Sequence, residues 1–386
     1  MWVLENASAV PFHGTWTEKG GITTVWDTLR SPHMARTRRL ALLATAAATV
    51  LTALPALPAA PALATGPYGQ GLDHCTGTAP VTCHFDVAPG TYDVTVTLGA
   101  DTPAATSVTA EARRAVVAET ATAAGERITR SFTVDVRTPE GEPTGPEGSP
   151  GLDLTFAGPA PALDAIRVTP APRTRQILLI GDSTVCDQPG EPYTGWGQRL
   201  PQFLGRGTAV ANHADSGEST VSYLADRALF DTVRGRIRPG DLVLVQLAHN
   251  DKQTDAATYR DNLTALVDGV RAQGGRPVLV TPVVRRWFNR DGTLDNGIAL
   301  LVNGLGVNHP AEIRAMAARL GTPLIDLTAL TKSRVEALGP DESKALYLTD
   351  EKRDNTHTSV RGATEYARLV LGELRAQGLV GRWARG

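Results

Sequence analysis

Five short apolar runs, separated by stretches of helical spacing, constrain this chain more than any other feature. They lie at Gln176–Ile180, Thr208–Ala211, Leu242–Leu247, Pro277–Val280 and Pro323–Leu327. A short apolar run without alternation suits a strand buried on both faces, as in a parallel sheet covered by helices on each side. Tyr259, Leu263, Leu266, Val267 and Val270 share one face of a helix that Gly274-Gly275 ends. Pro310 fits the first turn of another helix, with Asn308 near its cap, and Ala367, Val370, Leu371 and Leu374 form the stripe of the last. Strands alternating with helices predict an α/β fold over residues 173–386: a three-layer αβα sandwich around a five-stranded parallel sheet. A site in such a sheet lies at the carboxyl ends of the strands, where Ser183, Gly217, Asn250 and Pro282 fall.

The preceding segment, residues 66–172, lacks helical periodicity. Thr91–Leu98, Ile128–Val136 and Leu152–Phe156 alternate as strands do, and Ala165–Val168 closes the series. These predict an all-β sandwich domain ahead of the α/β domain. Pro139–Pro150, rich in Pro, Gly and Glu, reads as a long surface loop, and Pro170-Ala171-Pro172 as a stiff linker. The β segment is net acidic and the α/β segment slightly basic, within an overall charge of −2. No basic tract is strong enough for nucleic acid. Hydrophobic content of 42% with 20% charged residues excludes a disordered chain.

Residues 1–33 fit no targeting pattern and read as a leader or an over-extended start. Residues 34–64 read as a signal peptide. Met34-Ala35-Arg36-Thr37-Arg38-Arg39 is its charged opening, Leu40–Leu57 its apolar run and Ala62-Leu63-Ala64 its cleavage site. Pro55, Pro58 and Pro61 interrupt the end of the apolar run; the competing reading is a membrane anchor. The mature protein then starts near Thr65, is secreted to the extracellular space and has no membrane association. In that compartment Cys75 and Cys83, flanking a short segment with Gly77 and Pro80, read as a local disulfide. Cys186 reads as a small apolar residue packed behind the turn at Ser183.

That turn, Gly181-Asp182-Ser183-Thr184, follows the first apolar run and exposes a serine near backbone N–H groups. Asp354-Asn355-Thr356-His357, just before the last helix, supplies an acid and an imidazole. Ser183 is the candidate nucleophile, His357 the base, and Asp354 the acid that orients the imidazole. Oxyanion donors are the Ser183 N–H, the Gly217 N–H on the loop Asn212–Ser219, and the Asn250 amide of His249-Asn250-Asp251. His213 and His249 have no acid partner spaced like Asp354. His213 reads as structural, whereas His249 either lines the pocket or hydrogen-bonds beneath the loop. Asp182 and Asp251 read as ties for their own turns, and Trp196 as core beside Leu200 and Phe203. Arg285, Arg286 and Trp287 stay open between two roles. The arginines suit a uronate carboxylate and the indole a sugar face, or all three anchor an internal loop.

The set Gly-Asp-Ser, Asn…Gly, His-Asn-Asp and Asp-x-x-His, in that order, resembles the four blocks of the SGNH (GDSL-type) hydrolases. Gly181–Val185, Trp196–Pro201, Thr281–Arg286, Leu324–Leu327 and Asp354–His357 further resemble the rhamnogalacturonan acetylesterases of carbohydrate esterase family twelve. Pro89–Tyr92 and Ala110–Arg114 resemble, more loosely, the β domain that precedes some bacterial members. The resemblance implies removal of acetyl groups from an acetylated plant cell-wall polysaccharide, such as rhamnogalacturonan in pectin. It implies Ser183, Asp354 and His357 as catalytic residues and Ser183, Gly217 and Asn250 as the oxyanion hole, with no metal and no organic cofactor. Competing readings are an acetylxylan or generalist carboxylesterase, and an inactive carbohydrate-binding protein. Ala248 stands where the family commonly has Gly, which matters if the backbone there needs positive φ. Glu218 stands where Arg is frequent, putting a carboxylate at the substrate side. Thr358 stands where an aromatic residue is frequent, which implies a wider pocket rim. The β segment either binds glycan or only packs on the esterase.

Overall fold

The computed structural model describes residues 69–381, all within one compact unit. The expected leader (1–33) and signal peptide (34–64) lie outside the described residues.

The first nine strands are β1 (Gly69–Gln70), β2 (Cys75–Thr76), β3 (Val81–Phe85), β4 (Gly90–Leu98), β5 (Ala104–Ala110), β6 (Arg114–Thr122), β7 (Ile128–Val136), β8 (Leu152–Ala160) and β9 (Leu163–Pro170). They form two antiparallel sheets, ordered β1-β9-β4-β7 and β2-β3-β8-β5-β6. Inward residues of both sheets, including Val94, Val96, Phe132 and Ile166 from one and Phe85, Val108, Leu154 and Phe156 from the other, share a single buried core. Alternation is what makes this possible, because every second side chain of a strand faces the opposite sheet. Cys75 and Cys83 are opposite each other across β2 and β3 and form a disulfide. The hairpin β5–β6 is an addition to the sequence reading. Its Ala- and Thr-rich alternation carries few large residues to mark a core face, yet β5 is buried at every second position.

Between β5 and β6, Glu111 has φ +52°. Its carboxyl Oε1 accepts from the Asp153 N–H at 3.1 Å. Burial pushes this carboxyl up to about 8, against the pull of Arg114. The folded chain therefore keeps a proton that the unfolded chain releases in the ordinary carboxyl range. Stability is expected to fall as pH rises toward 8, with a slope of at most ~1.4 kcal/mol per pH unit from this group. Glu111→Gln keeps the acceptor and removes the titration. Its melting temperature is expected to exceed that of the parent at pH 8 and to converge with it near pH 5.

The second half contains β10 (Arg175–Gly181), β11 (Thr208–Asn212), β12 (Leu242–Gln246), β13 (Arg276–Val280) and β14 (Leu324–Ile325). They form the expected five-stranded sheet, parallel throughout, in the order β11-β10-β12-β13-β14. Ile177 and Leu179 enter one core, and Leu178 and Ile180 the other, so β10 is buried on both faces. Each such side chain contributes about 1.5–3 kcal/mol on burial. The helix Ala256–Ala272 covers one face and the helix Val360–Ala376 the other. Asn308 caps His309–Leu320 by accepting from Ala311 N–H, with Pro310 in the first turn. A small antiparallel pair, β15 (Tyr347–Leu348) and β16 (Asp354–Thr358), completes the set.

The segment Pro139–Pro150 is not a free surface loop. Gly141 is buried, and Glu142 and Thr144 hydrogen-bond to the loop after β11. Beside it, Arg114 Nε and Arg137 Nη2 lie 2.9 and 3.2 Å from the same oxygen of Asp187, all three side chains being buried. Arg137 also donates to the Asn212 carbonyl at 2.5 Å. The segment Pro170–Pro172 is likewise tied down, with the Thr91 hydroxyl donating to Ala171 O and Arg238 to Pro172 O.

Candidate active site

Strand β10 ends at Gly181, where a Cβ would meet Val185 Cγ2 at 2.6 Å. Only glycine lets the chain turn this tightly behind Ser183. Asp182 is fully buried and accepts from the Thr184 N–H at 2.9 Å and from its hydroxyl at 2.7 Å. Burial would raise its carboxyl, but His249 and Thr184 outweigh that and hold it low. Asp182 thus braces the turn, and Ser183 is presented beyond it.

Ser183 Oγ lies 2.9 Å from His357 Nε2, and His357 Nδ1 lies 2.7 Å from Asp354 Oδ2. The other Asp354 oxygen accepts the N–H groups of Thr356 and His357 at 2.8 and 3.0 Å. One carboxylate therefore closes its own turn and fixes the imidazole. Burial would raise Asp354, but these donors depress it to about 2. It keeps its charge until pH falls through that value, so it does not titrate in the range where esters are assayed. Arg353, with φ +55°, turns the chain into this segment. The Tyr193 ring packs edge-on against His357 at 5.4 Å, a neighbour with no sequence signal.

Gly217 has φ +86° in open space, a conformation that disfavours any side chain. The Asn250 amide donates to Glu218 O at 3.2 Å; a second N–H of that amide remains available. Ala248 is buried and is not among the residues with positive φ, so its methyl group is accommodated. Glu218 is half-buried; burial raises its carboxyl against a hydrogen bond with Ser222. Thr358 does not shape a rim. It is buried, and its hydroxyl donates to Thr194 O at 2.6 Å.

The remaining candidates separate. His249 is buried and pairs with Asp182 through Nδ1 at 3.2 Å, while also lining a cavity of about 150 Å³ with Arg285, Lys252 and Asn303. Arg285 donates to His249 O at 3.2 Å and is only partly buried. Trp287 is 49% exposed. Arg286 departs from the substrate-binding expectation. It is buried and donates to Ser343 Oγ, Asn355 Oδ1 and Pro340 O, so its guanidinium anchors the segment before His357. His213 is buried, and burial with nearby Arg137 keeps it neutral. Asp251 accepts from Thr220 and Thr254. Trp196 is buried and donates to Gln246 at 2.9 Å. Among the described residues, no group of three or more His, Cys, Asp or Glu is placed to hold a metal, and no helix is long and apolar enough to cross a membrane.

A doubly covered parallel sheet, with a serine at the end of β10 in contact with an imidazole–carboxylate pair on β16, defines a serine hydrolase. Residues 179–364 match the GDSL-like lipase/acylhydrolase family. A rhamnogalacturonan acetylesterase of Bacillus subtilis, RhgT, is 37% identical over 53% of this chain and 91% of its own. The chain belongs to that GDSL-like family. The uncharacterized esterase YxiM of the same bacterium is 30% identical over 78% of this chain and 75% of its own. The crystal structure of YxiM superposes with a TM-score of 0.50 at 28% identity, covering 78% of this chain and 81% of that one.

Proposed function

We propose that this protein is a secreted acetylesterase acting on an acetylated plant cell-wall polysaccharide, with rhamnogalacturonan as the preferred substrate. The observation that carries the reading is the continuous contact from Ser183 Oγ through His357 to Asp354. Ser183 attacks the acetyl carbonyl while His357 Nε2 takes its proton. The Ser183 and Gly217 N–H groups and the Asn250 amide receive the oxyanion. His357 returns the proton to the departing sugar oxygen, which leaves as a hydroxyl. Water, activated by the same imidazole, then releases acetate from the acetyl-serine.

The named activity of the RhgT relative supports the pectic substrate. So do the half-buried Arg285 at a cavity of about 150 Å³ and the exposed Trp287 nearby in sequence. A guanidinium suits a uronate carboxylate and an indole a sugar face. Secretion is supported by the Cys75–Cys83 disulfide, since such bonds persist in oxidising compartments. In this reading residues 66–172 form an accessory β domain and 173–386 the esterase domain.

The test is acetate release from acetylated rhamnogalacturonan, acetylated xylan and p-nitrophenyl acetate in parallel. Release from the pectic polymer at least about tenfold above xylan, a difference of ~1.4 kcal/mol in barrier, is expected. Equal rates on both polymers would assign a generalist esterase. No turnover of any ester would assign the binding-protein reading instead.

A further inference from the structure

Glu142 lies in the loop after β7, outside the parallel-sheet half of the chain. Its Oε1 accepts from the Ser216 N–H at 3.1 Å, from the Ser216 hydroxyl, and from Cys186 Sγ at 2.8 Å. Ser216 directly precedes Gly217, and Cys186 sits on the turn that carries Ser183. Gln188 joins the same group, donating to Ser183 O at 2.9 Å and to Ser216 Oγ at 3.4 Å. Two residues further along, Thr144 donates to the Asp215 carboxylate through its hydroxyl at 2.5 Å and its N–H at 3.3 Å. Asp215 is buried and its N–H donates to Gly181 O at 3.1 Å, but the two residues after it have few local constraints. Ser216 and Gly217 are exposed, and Gly217 has open space where a side chain would be.

We propose that Glu142 is a positioning residue for ester hydrolysis. It sets the spacing between the nucleophile turn at Ser183 and the oxyanion donor at Gly217, with Thr144 as its second clamp. The inference rests on the roles proposed above for Ser183 and Gly217. It makes the β-sheet region part of the active site rather than a detached accessory. Oxyanion donors act on charge that develops only in the transition state, so a misplaced Gly217 N–H lowers kcat and leaves ground-state binding alone. Loss of a whole oxyanion donor costs about 10²–10³-fold in kcat; a displaced one is expected to cost about tenfold or more.

The experiment measures kcat and KM on p-nitrophenyl acetate for the parent and for Glu142→Ala, Glu142→Gln, Thr144→Val and Ser183→Ala, each with its melting temperature. Glu142→Ala is expected to lose about tenfold or more in kcat with KM changed less than about threefold. Glu142→Gln keeps a carbonyl acceptor for Ser216 and is expected to recover most of the loss. Thr144→Val changes an exposed side chain and covers the case in which Glu142→Ala does not fold; it is expected to lose kcat severalfold. Parent-like kcat in folded Glu142→Ala or, failing that variant, in Thr144→Val, with Ser183→Ala inactive, overturns the positioning role and leaves the catalytic reading standing. Turnover retained in Ser183→Ala overturns the catalytic reading itself. A loss in Glu142→Ala that Glu142→Gln does not recover, matched by an equal rise in KM, assigns Glu142 to substrate binding and overturns the inference.

Discussion

Ser183→Ala is expected to lose turnover of acetyl esters by about a millionfold, and Asp354→Asn by about 10⁴-fold, with little change in KM for either. The two losses have different causes. Without the Ser183 hydroxyl there is no group for the His357 imidazole to deprotonate, and only the binding and oxyanion groups remain to favour attack by water. With Asn at 354 the turn can still form, because an amide oxygen can accept the Thr356 and His357 N–H groups that Asp354 now holds. The amide NH₂ then faces Nδ1, however, and favours the tautomer whose Nε2 carries the proton. That nitrogen can no longer take a proton from Ser183 2.9 Å away. Steady-state kinetics on p-nitrophenyl acetate, with acetyl-enzyme trapping, checks both. Parent-like turnover in Asp354→Asn would move the orienting acid to another residue.

The acid and the imidazole of this array are legible because they lie on one short stretch of sequence. Asp354 and His357 are three residues apart, and one carboxylate meets both the backbone and the ring, so four consecutive residues carry both candidates. The strands of the parallel sheet are legible for a similar reason. A run such as Gln176–Ile180 has no polar face, and only a doubly covered sheet accommodates that. The Arg285-Arg286-Trp287 segment shows where local reading ends. Adjacent arginines look alike in sequence, yet Arg286 is buried on Ser343, Asn355 and Pro340 while Arg285 borders a cavity. What separates them is which residues from distant segments happen to lie opposite. Glu142, Arg137 and Asp187 were illegible on the same grounds. The contacts that matter, Glu142 with Ser216 and Arg137 with Asp187, join residues tens of positions apart, and a Pro-, Gly- and Glu-rich stretch has the composition of a solvent loop whether or not another part of the chain covers it. Tyr193, edge-on to His357, carries no pattern at all.

The same long-range cluster underlies the largest expected effect on stability. Asp187 is fully buried and faces both Arg114 and Arg137, which come from the β-sheet region. Its second oxygen accepts from the Asn212 amide at 2.8 Å, and Asn212 ends the strand leading to the Gly217 loop. Nearby, Asp135 faces Arg137 at 3.2 Å and Arg236 at 2.5 Å. Three guanidinium groups thus share two carboxylates. Asp187→Asn keeps the volume and an acceptor for Asn212 but removes one of those two negative charges. Arg114 and Arg137 cannot leave, since Arg114 also donates to Asp135 O and Glu140 O, and Arg137 to Gly141 O and Asn212 O. Breaking a buried pair in this way costs about 3–5 kcal/mol, because the cation left behind stays desolvated. Denaturant unfolding of Asp187→Asn is expected to show a loss of that size with an unchanged m-value. Replacing both arginines together with Asp187 by apolar residues of similar volume is expected to recover much of it, since the desolvation cost goes with the charges. A loss below about 1 kcal/mol in Asp187→Asn would mean that water reaches the cluster and screens it. The two regions would then be joined by their apolar contacts and backbone hydrogen bonds rather than by these ions.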